Sequence, residues 1–210
     1  MTAFQASLLD VEDDVRVGTL APIRTTLSNG AWIDVHNHWV HGADLLFDRL
    51  RDGVDWRAER RPMYDKVVDV PRLLHFVDEQ HPLPDPALVT AKQALDRHYT
   101  PELGEPFATA GLCFYRDGRD SVAWHGDRIG RGSKYDTMVA IVVLGAPRAL
   151  LLRPRPGVGD PSRTLRLDLG HGDLVVMGGS CQRTWEHAIP KTAKPVGPRI
   201  SVQFRPRGVR

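Results

Sequence analysis

Only two cysteines, Cys113 and Cys181, occur in 210 residues. Two thiols make no disulfide framework, and a chain of this length buries enough surface to fold without one, so a reducing cytoplasm is the expected compartment. Both cysteines read as small apolar core residues rather than ligands. No apolar run approaches the roughly 18 residues that a membrane span needs. The opening MTAFQASLLDVEDDV has no basic stretch leading into an apolar core, so no secretory signal is expected. The sequence also lacks internal repeats and low-complexity stretches. Hydrophobic residues at 41% and charged residues at 26% argue against disorder and for one soluble globular unit.

Net charge is scarce too, at +2, but the balance is uneven along the chain. Residues 1–105 hold 11 Lys and Arg against 18 Asp and Glu, or −7; residues 106–210 hold 17 against 8, or +9. A basic half joined to an acidic one suits an acidic polymer or an acidic small molecule, or simply makes two solvated faces.

The same boundary appears in the pattern. Residues 1–40 read as a few short strands, with a hairpin turn at Ser28-Asn29-Gly30. Residues 43–51 place Leu46, Phe47 and Leu50 at helical spacing. Residues 86–98 form a clearer helix, with Asp85 as its cap, Pro86 in its first turn, and a stripe of Leu88, Ala91, Ala94 and Leu95. Between the helices, residues 56–72 are charged, aromatic and broken by two prolines, which predicts an irregular surface segment with one short strand. From about residue 107 short β-rich runs alternate with turns at 108–115, 121–125, 137–144, 148–153, 163–169, 173–178, 184–189 and 198–205. Eight such runs with no long helix between them predict a sandwich or barrel.

The chemistry-bearing residues lie in the β half. His125 and Asp127 stand two apart, on one face of an extended segment. A barrel would bring His187 to them, and two imidazoles with one carboxylate leave open the coordination positions that non-haem Fe(II) oxygenases use. Downstream, residues 199–205 alternate strictly: Ile200, Val202 and Phe204 on one face, Arg199, Ser201, Gln203 and Arg205 on the other. Arginines inside a barrel mouth need an anionic partner, and a dicarboxylate supplies one. A solvent-facing edge strand is the plainer reading of the same pattern. His36, His38 and His41 also cluster, but no third ligand at structural-zinc spacing supports a site there. His171, in a glycine-rich turn, reads as exposed.

These blocks carry a resemblance. The run from Phe114 to Asp127 resembles the Y-x-D-G-x-D-x-x-x-W-H-x-D signature of AlkB-type 2-oxoglutarate/Fe(II) dioxygenases. Arg199 to Arg205 is similar to that family's R-x-x-x-x-x-R, and residues 174–191 to its bacterial branch around the distal ligand. The likeness covers about 107–207, with fainter matches at Met63-Tyr64 and Val70-Pro71-Arg72. Two positions depart from it: Cys113 and Ser201 stand where the family often has Asn.

The resemblance implies a mainly β fold with flanking helices. Its core would be a double-stranded β-helix (jelly roll, cupin-like) at 106–210, and residues 1–105 an N-terminal extension and lid packed as part of one domain. It implies Fe(II), 2-oxoglutarate and O2 as cofactors. His125, Asp127 and His187 would be the catalytic iron ligands, and Tyr115, Arg199, Ser201 and Arg205 would hold 2-oxoglutarate. The implied reaction is oxidative demethylation of bases such as 1-methyladenine or 3-methylcytosine. The implied partner is alkylated nucleic acid, single-stranded DNA before RNA, and the protein is expected to be a monomer with no membrane contact. Met63 and Tyr64 would wall a flipped base, while Trp124 and Trp185 read as core. Arg128, with Arg131 and Lys134 after it, would meet phosphates, joined by Arg116, Arg119 and Arg183. Modified RNA, a protein or a small molecule remain alternative substrates, and a non-enzymatic cupin-like binding module is the alternative without catalysis.

Overall fold

The structure, a computed structural model, describes residues 14–63, 66–160 and 162–209, but no side chain of residues 61–68. The acidic half supplies β1 (Arg16–Val17), β2 (Ile23–Thr26), β3 (Ala31–His36), β4 (Val40–His41), α1 (Ala43–Gly53), β5 (Arg57–Met63), β6 (Lys66–Val77) and α2 (Pro86–Leu103). The basic half supplies β7 (Thr109–Tyr115), β8 (Val122–His125), β9 (Val139–Gly145), β10 (Arg148–Pro154), β11 (Leu165–Leu169) and β12 (Leu174–Gly179). It ends with a one-turn α3 (Cys181–Thr184), β13 (Trp185–Ile189) and β14 (Arg199–Arg205). All eight β runs expected after residue 107 are present.

The major sheet runs β2-β3-β12-β9-β14-β7-β6-β5 and the minor sheet β11-β10-β13-β8, antiparallel throughout. Period-two alternation gives the major sheet two buried faces. Val139, Ile141 and Val143 of β9 pack with Leu150, Leu152, Trp185 and Ile189 of the minor sheet. The intervening Ala140, Val142 and Leu144 pack with Leu46 and Leu50 of α1 and Leu88 and Leu95 of α2. The two layers are a jelly roll with helices behind its larger sheet.

Local chemistry places the helices. Asp85 caps α2 by accepting a hydrogen bond from the Ala87 N–H at 2.8 Å, and Gly104 ends it in the left-handed region at φ 83°. The 28–30 turn joins β2 to β3 as expected.

Residues 56–72 correct the expectation of an irregular segment. They belong to the hairpin β5–β6, and Leu73–Val77 of β6 pair with β7. β5 is the outer strand, so no apolar alternation marks it. Pro71 is tolerated because Val70-Pro71-Arg72 bulge opposite Glu59, where the register shifts. The major sheet therefore takes four of its eight strands from before residue 106. Three smaller expectations also change. Trp124 is half-buried beneath the Arg153 guanidinium, 4.2 Å from its ring centre, rather than core. His171 is half-buried, its Nδ1 accepting from the Gly145 N–H at 2.6 Å. Cys113 lines a polar cavity, whereas Cys181 is core, its thiol pushed up to about 12 by burial. No helix among the described residues is long and apolar enough to cross a membrane.

Candidate metal and co-substrate site

One cavity opens between the sheets. Its polar lining comes from β6 (Arg72), β7 (Cys113, Tyr115), β8 and the loop after it (His125, Asp127), β13 (His187) and β14 (Arg199, Ser201, Gln203, Arg205). β14 lies between β9 and β7, so its polar face is interior and not the edge of a sheet.

β13 pairs with β8 so that His187 stands directly across from His125, with ring centres 4.2 Å apart. The His125 Nδ1 lies 2.9 Å from the Ala123 carbonyl, which can only accept. Nδ1 therefore carries the proton and Nε2 keeps its lone pair. Asp127 is turned inward by two contacts. Its backbone N–H donates to Gln182 Oε1 at 2.9 Å, and its Oδ2 accepts from Arg205 Nε at 2.7 Å. Its Oδ1 is left 3.8 Å from His125 Nε2. Gly126 is required between the two ligands, because a Cβ there would meet the Gln182 carbonyl oxygen at 2.5 Å. One donor atom from each of His125, Asp127 and His187 lies within 4.8 Å of the others, the one such cluster among the described residues. The His36–His41 group makes none.

Electrostatics prepare these groups for a cation. Burial works to raise the Asp127 carboxyl, but Arg205 and then the two histidines outweigh it and hold it at about 2. Burial, then His125, push the His187 imidazole down to about 3 against the pull of Asp127. A neutral imidazole and an ionised carboxylate are the ligand forms that Fe(II) needs. The donor set fits that metal.

A stability prediction follows. The unfolded His187 ionises near its ordinary 6.5, so below that pH the unfolded chain binds more protons than the folded one. Stability is full above about 6.5 and is lost as pH falls toward 3. Urea unfolding of metal-free protein is expected to show about 2 kcal/mol less stability at pH 5 than at pH 7 from this group. His187→Gln should remove most of that difference; an unchanged difference would refute the assignment.

The rest of the cavity is short of anions. Asp127 is the one carboxylate among its described lining residues and is engaged by Arg205. Arg199 is 1% exposed, donates Nη1 to the Arg148 carbonyl at 3.0 Å and leaves Nε with no partner. Burial lowers its pKa to about 10, so it stays charged at neutral pH. A buried guanidinium with an unspent donor fits a carboxylate supplied from outside, as 2-oxoglutarate would supply it.

The structure thus brings His125, Asp127, His187, Tyr115, Arg199, Ser201 and Arg205 together. It adds Arg72, which the β6 bulge aims at Cys113 (Nε to Sγ 3.4 Å), and Gln182 behind Asp127. Period-two alternation had placed Gln203 on the right face without a role; Arg72 and Gln182 fell within the resembling blocks at 70–72 and 174–191 but were given no role. Arg128 is half-buried on the loop after Asp127. Arg183 pairs with Asp136, Arg131 with Glu105, Arg116 with Asp120 and Arg119 with Asp117. Met63 ends β5, without a described side chain, and Tyr64 lies outside the described residues.

The chain is similar to known proteins. A family model described as the 2OG-Fe(II) oxygenase superfamily matches residues 43–205. The human DNA oxidative demethylase ALKBH2 is 30% identical over 182 residues, covering 78% of this chain and 68% of that protein. The human and bovine alpha-ketoglutarate-dependent dioxygenase alkB homolog 3 are each 28% identical, over 80% and 79% of this chain. The chain spans 65% and 64% of their lengths, under two thirds. Among solved structures, OsALKBH1 matches with a TM-score of 0.58 at 16% identity, over 88% of this chain and 100% of that one. A Pseudomonas putida prolyl-4-hydroxylase matches at 0.53 and 17%, over 84% and 93%. At those identities the two structures speak for the fold alone.

Proposed function

The chain belongs to the 2OG-Fe(II) oxygenase superfamily, in its AlkB-type branch, and from that premise we propose that it oxidatively demethylates alkylated bases in nucleic acid. The finer reading is a lesion of the 1-methyladenine or 3-methylcytosine type, in single-stranded DNA before RNA, acted on by a monomer. The observation that carries it is one cavity holding two imidazoles, a carboxylate and a buried arginine without an anion.

In this reading His125, Asp127 and His187 hold Fe(II). Arg199 takes the distal carboxylate of 2-oxoglutarate, Arg205 stands by its 1-carboxylate and Asp127, and Tyr115 and Ser201 complete the pocket's hydrogen bonds. When bound, iron, 2-oxoglutarate and O2 supply hydroxylation of a C–H bond, after which an N-methyl group leaves as formaldehyde. The chain's own part is to fix those groups and admit a base that has left its stack. The loop after Asp127 supports that role. Tyr135 and Ile129 are 63% and 71% exposed on it, and Arg128 and Lys134 make no ion pair among the described residues. Tyr135 offers a stacking face and the two cations meet phosphates. Arg183 joins them by exchanging Asp136 for phosphate.

A single-stranded oligonucleotide carrying 1-methyladenine tests this. Succinate and formaldehyde are expected in equal amounts, both dependent on Fe(II). Succinate without formaldehyde from any methylated strand would move the substrate to modified RNA, a protein or a small molecule. No succinate from any substrate would leave a cupin-like binding module.

A further inference from the structure

The loop from Asp127 to β9 carries Arg128, Lys134 and the exposed Ile129 and Tyr135. Surface loops are ordinarily the mobile parts of a fold, because few contacts offset the entropy lost in ordering them. This one is held along its length. At its start the Asp127 N–H donates to Gln182 Oε1 at 2.9 Å, and at its end the Thr137 N–H donates to the Gly179 carbonyl at 3.1 Å. The middle is held by the segment that follows β14. Val209 forms a β-bridge with Gly130, and the Arg131 N–H donates to the Gly208 carbonyl at 2.9 Å.

Both sides of that contact are anchored. Val209 is buried and joins the cluster of Val139, Cys181 and Trp185 between the sheets. Gly130 stands at φ 78°, and a Cβ there would collide with the Gly208 carbonyl oxygen. Arg131 passes the restraint on. Its side chain pairs with Glu105, and its carbonyl accepts from the Lys134 and Tyr135 N–H groups, each at 3.1 Å. The Ser133 hydroxyl donates to the Gly130 carbonyl at 2.7 Å. The cation and the aromatic ring that face solvent are thus built on the residue that the segment after β14 fixes.

We propose that Gly130 and Val209 are positioning residues for the nucleic acid: by fixing Arg131 they hold Lys134 and Tyr135 in place before the strand arrives. This rests on reading the loop as the face that meets the strand. A loop ordered in advance loses little freedom on binding, so loosening it costs affinity for the strand. Iron and 2-oxoglutarate do not depend on the contact. Asp127 has its own restraints in Gln182 and Arg205, and the other groups of that site stand on β7, β8, β13 and β14.

Val209→Asp and Gly130→Ala break the contact from opposite sides. Should Val209→Asp not fold, Gly130→Ala decides alone, because it leaves the core cluster intact. The first readout needs no activity. Trypsin cleavage after Arg128, Arg131 or Lys134, located by fragment mass, should be about tenfold faster in each variant than in wild type. The second is binding of a single-stranded oligonucleotide carrying 1-methyladenine, measured anaerobically with Fe(II) and 2-oxoglutarate present. Its dissociation constant should rise about tenfold. KM for the strand should rise with it, while kcat and the dissociation constant of 2-oxoglutarate stay within about twofold. Wild-type protein cut in the loop as fast as the variants overturns the proposal. So does 2-oxoglutarate binding that falls in step with strand binding, which would make the contact a general brace. Wild type that binds no methylated strand overturns the proposed function and this inference together. Tight wild-type binding that the variants leave unchanged removes only the role of Gly130 and Val209.

Discussion

His187→Ala is expected to reduce Fe(II)-dependent succinate formation by about a thousandfold or more, to background, while the protein still folds. The effect is large because the cluster offers three protein donors and no fourth lies near enough to substitute among the described residues. Changing groups that merely support a ligand costs about 10- to 100-fold in metal affinity or activity, and removing the ligand itself must exceed that. Folding survives for a reason visible in the site. His187 is buried, held neutral at a cost, and its ring meets another imidazole, not a salt-bridge partner. Asp127 would be a worse choice for the experiment, because it also neutralises Arg205 and its loss would strand that charge. Fe(II) binding followed directly, beside succinate, separates the two ways of failing. Retained iron with lost turnover would mean that His187 is not a ligand.

The same distinction between local pattern and tertiary context explains what the sequence disclosed. The eight strands after residue 107 were legible because each is a short β-rich run closed by Gly, Pro or Asp. Both faces of the major sheet are buried, so the apolar signal there is dense. The α2 boundaries were legible from Asp85 and Pro86, although the helix runs on to Leu103, past Pro101. β5 was not legible. As an outer strand of Arg-Ala-Glu-Arg-Arg-Pro-Met it buries no stripe, and only pairing with β6 makes it a strand. His125 and Asp127 were legible because spacing of two on an extended chain fixes a shared face. Their partner His187 followed from the expected barrel and the resemblance, and the β13–β8 register is what brings it to them. Arg72 lies in a bulge where three residues of β6 face one of β5, and such a bulge is set by the pairing of the two strands rather than by either strand's own pattern. The basic loop looked more available to phosphate than it is. Arg131 finds Glu105 from 26 positions away and Arg183 finds Asp136 from 47, contacts that no local rule foretells. Of that loop's cations, Arg128 and Lys134 make no ion pair among the described residues.

Arg199→Met is expected to move affinity and stability in opposite senses. The dissociation constant of 2-oxoglutarate should rise about 100-fold or more, since truncating one partner of a buried charge pair costs about 2–5 kcal/mol. The metal-free, co-substrate-free protein should be at least as stable as wild type. Arg199 is 1% exposed with an unpartnered Nε, and burial drags its pKa down to about 10, so the empty site already bears the cost of an unpaired buried charge. A methionine of similar length fills the volume without that charge and gives up one hydrogen bond to the Arg148 carbonyl, worth about 1 kcal/mol. Thermal unfolding with and without co-substrate reads both effects. 2-Oxoglutarate should raise the wild-type midpoint by mass action and leave the variant unmoved. A variant that is less stable yet still stabilised by 2-oxoglutarate would show that Arg199 braces the β14–β7 ladder and that another group grips the anion. Arg72 and Arg205 are the cavity's other guanidiniums, but Arg205 is engaged by Asp127 and Arg72 by Cys113 and Ser121. Arg199 is therefore the one of the three that is fully buried and keeps a donor unpartnered among the described residues.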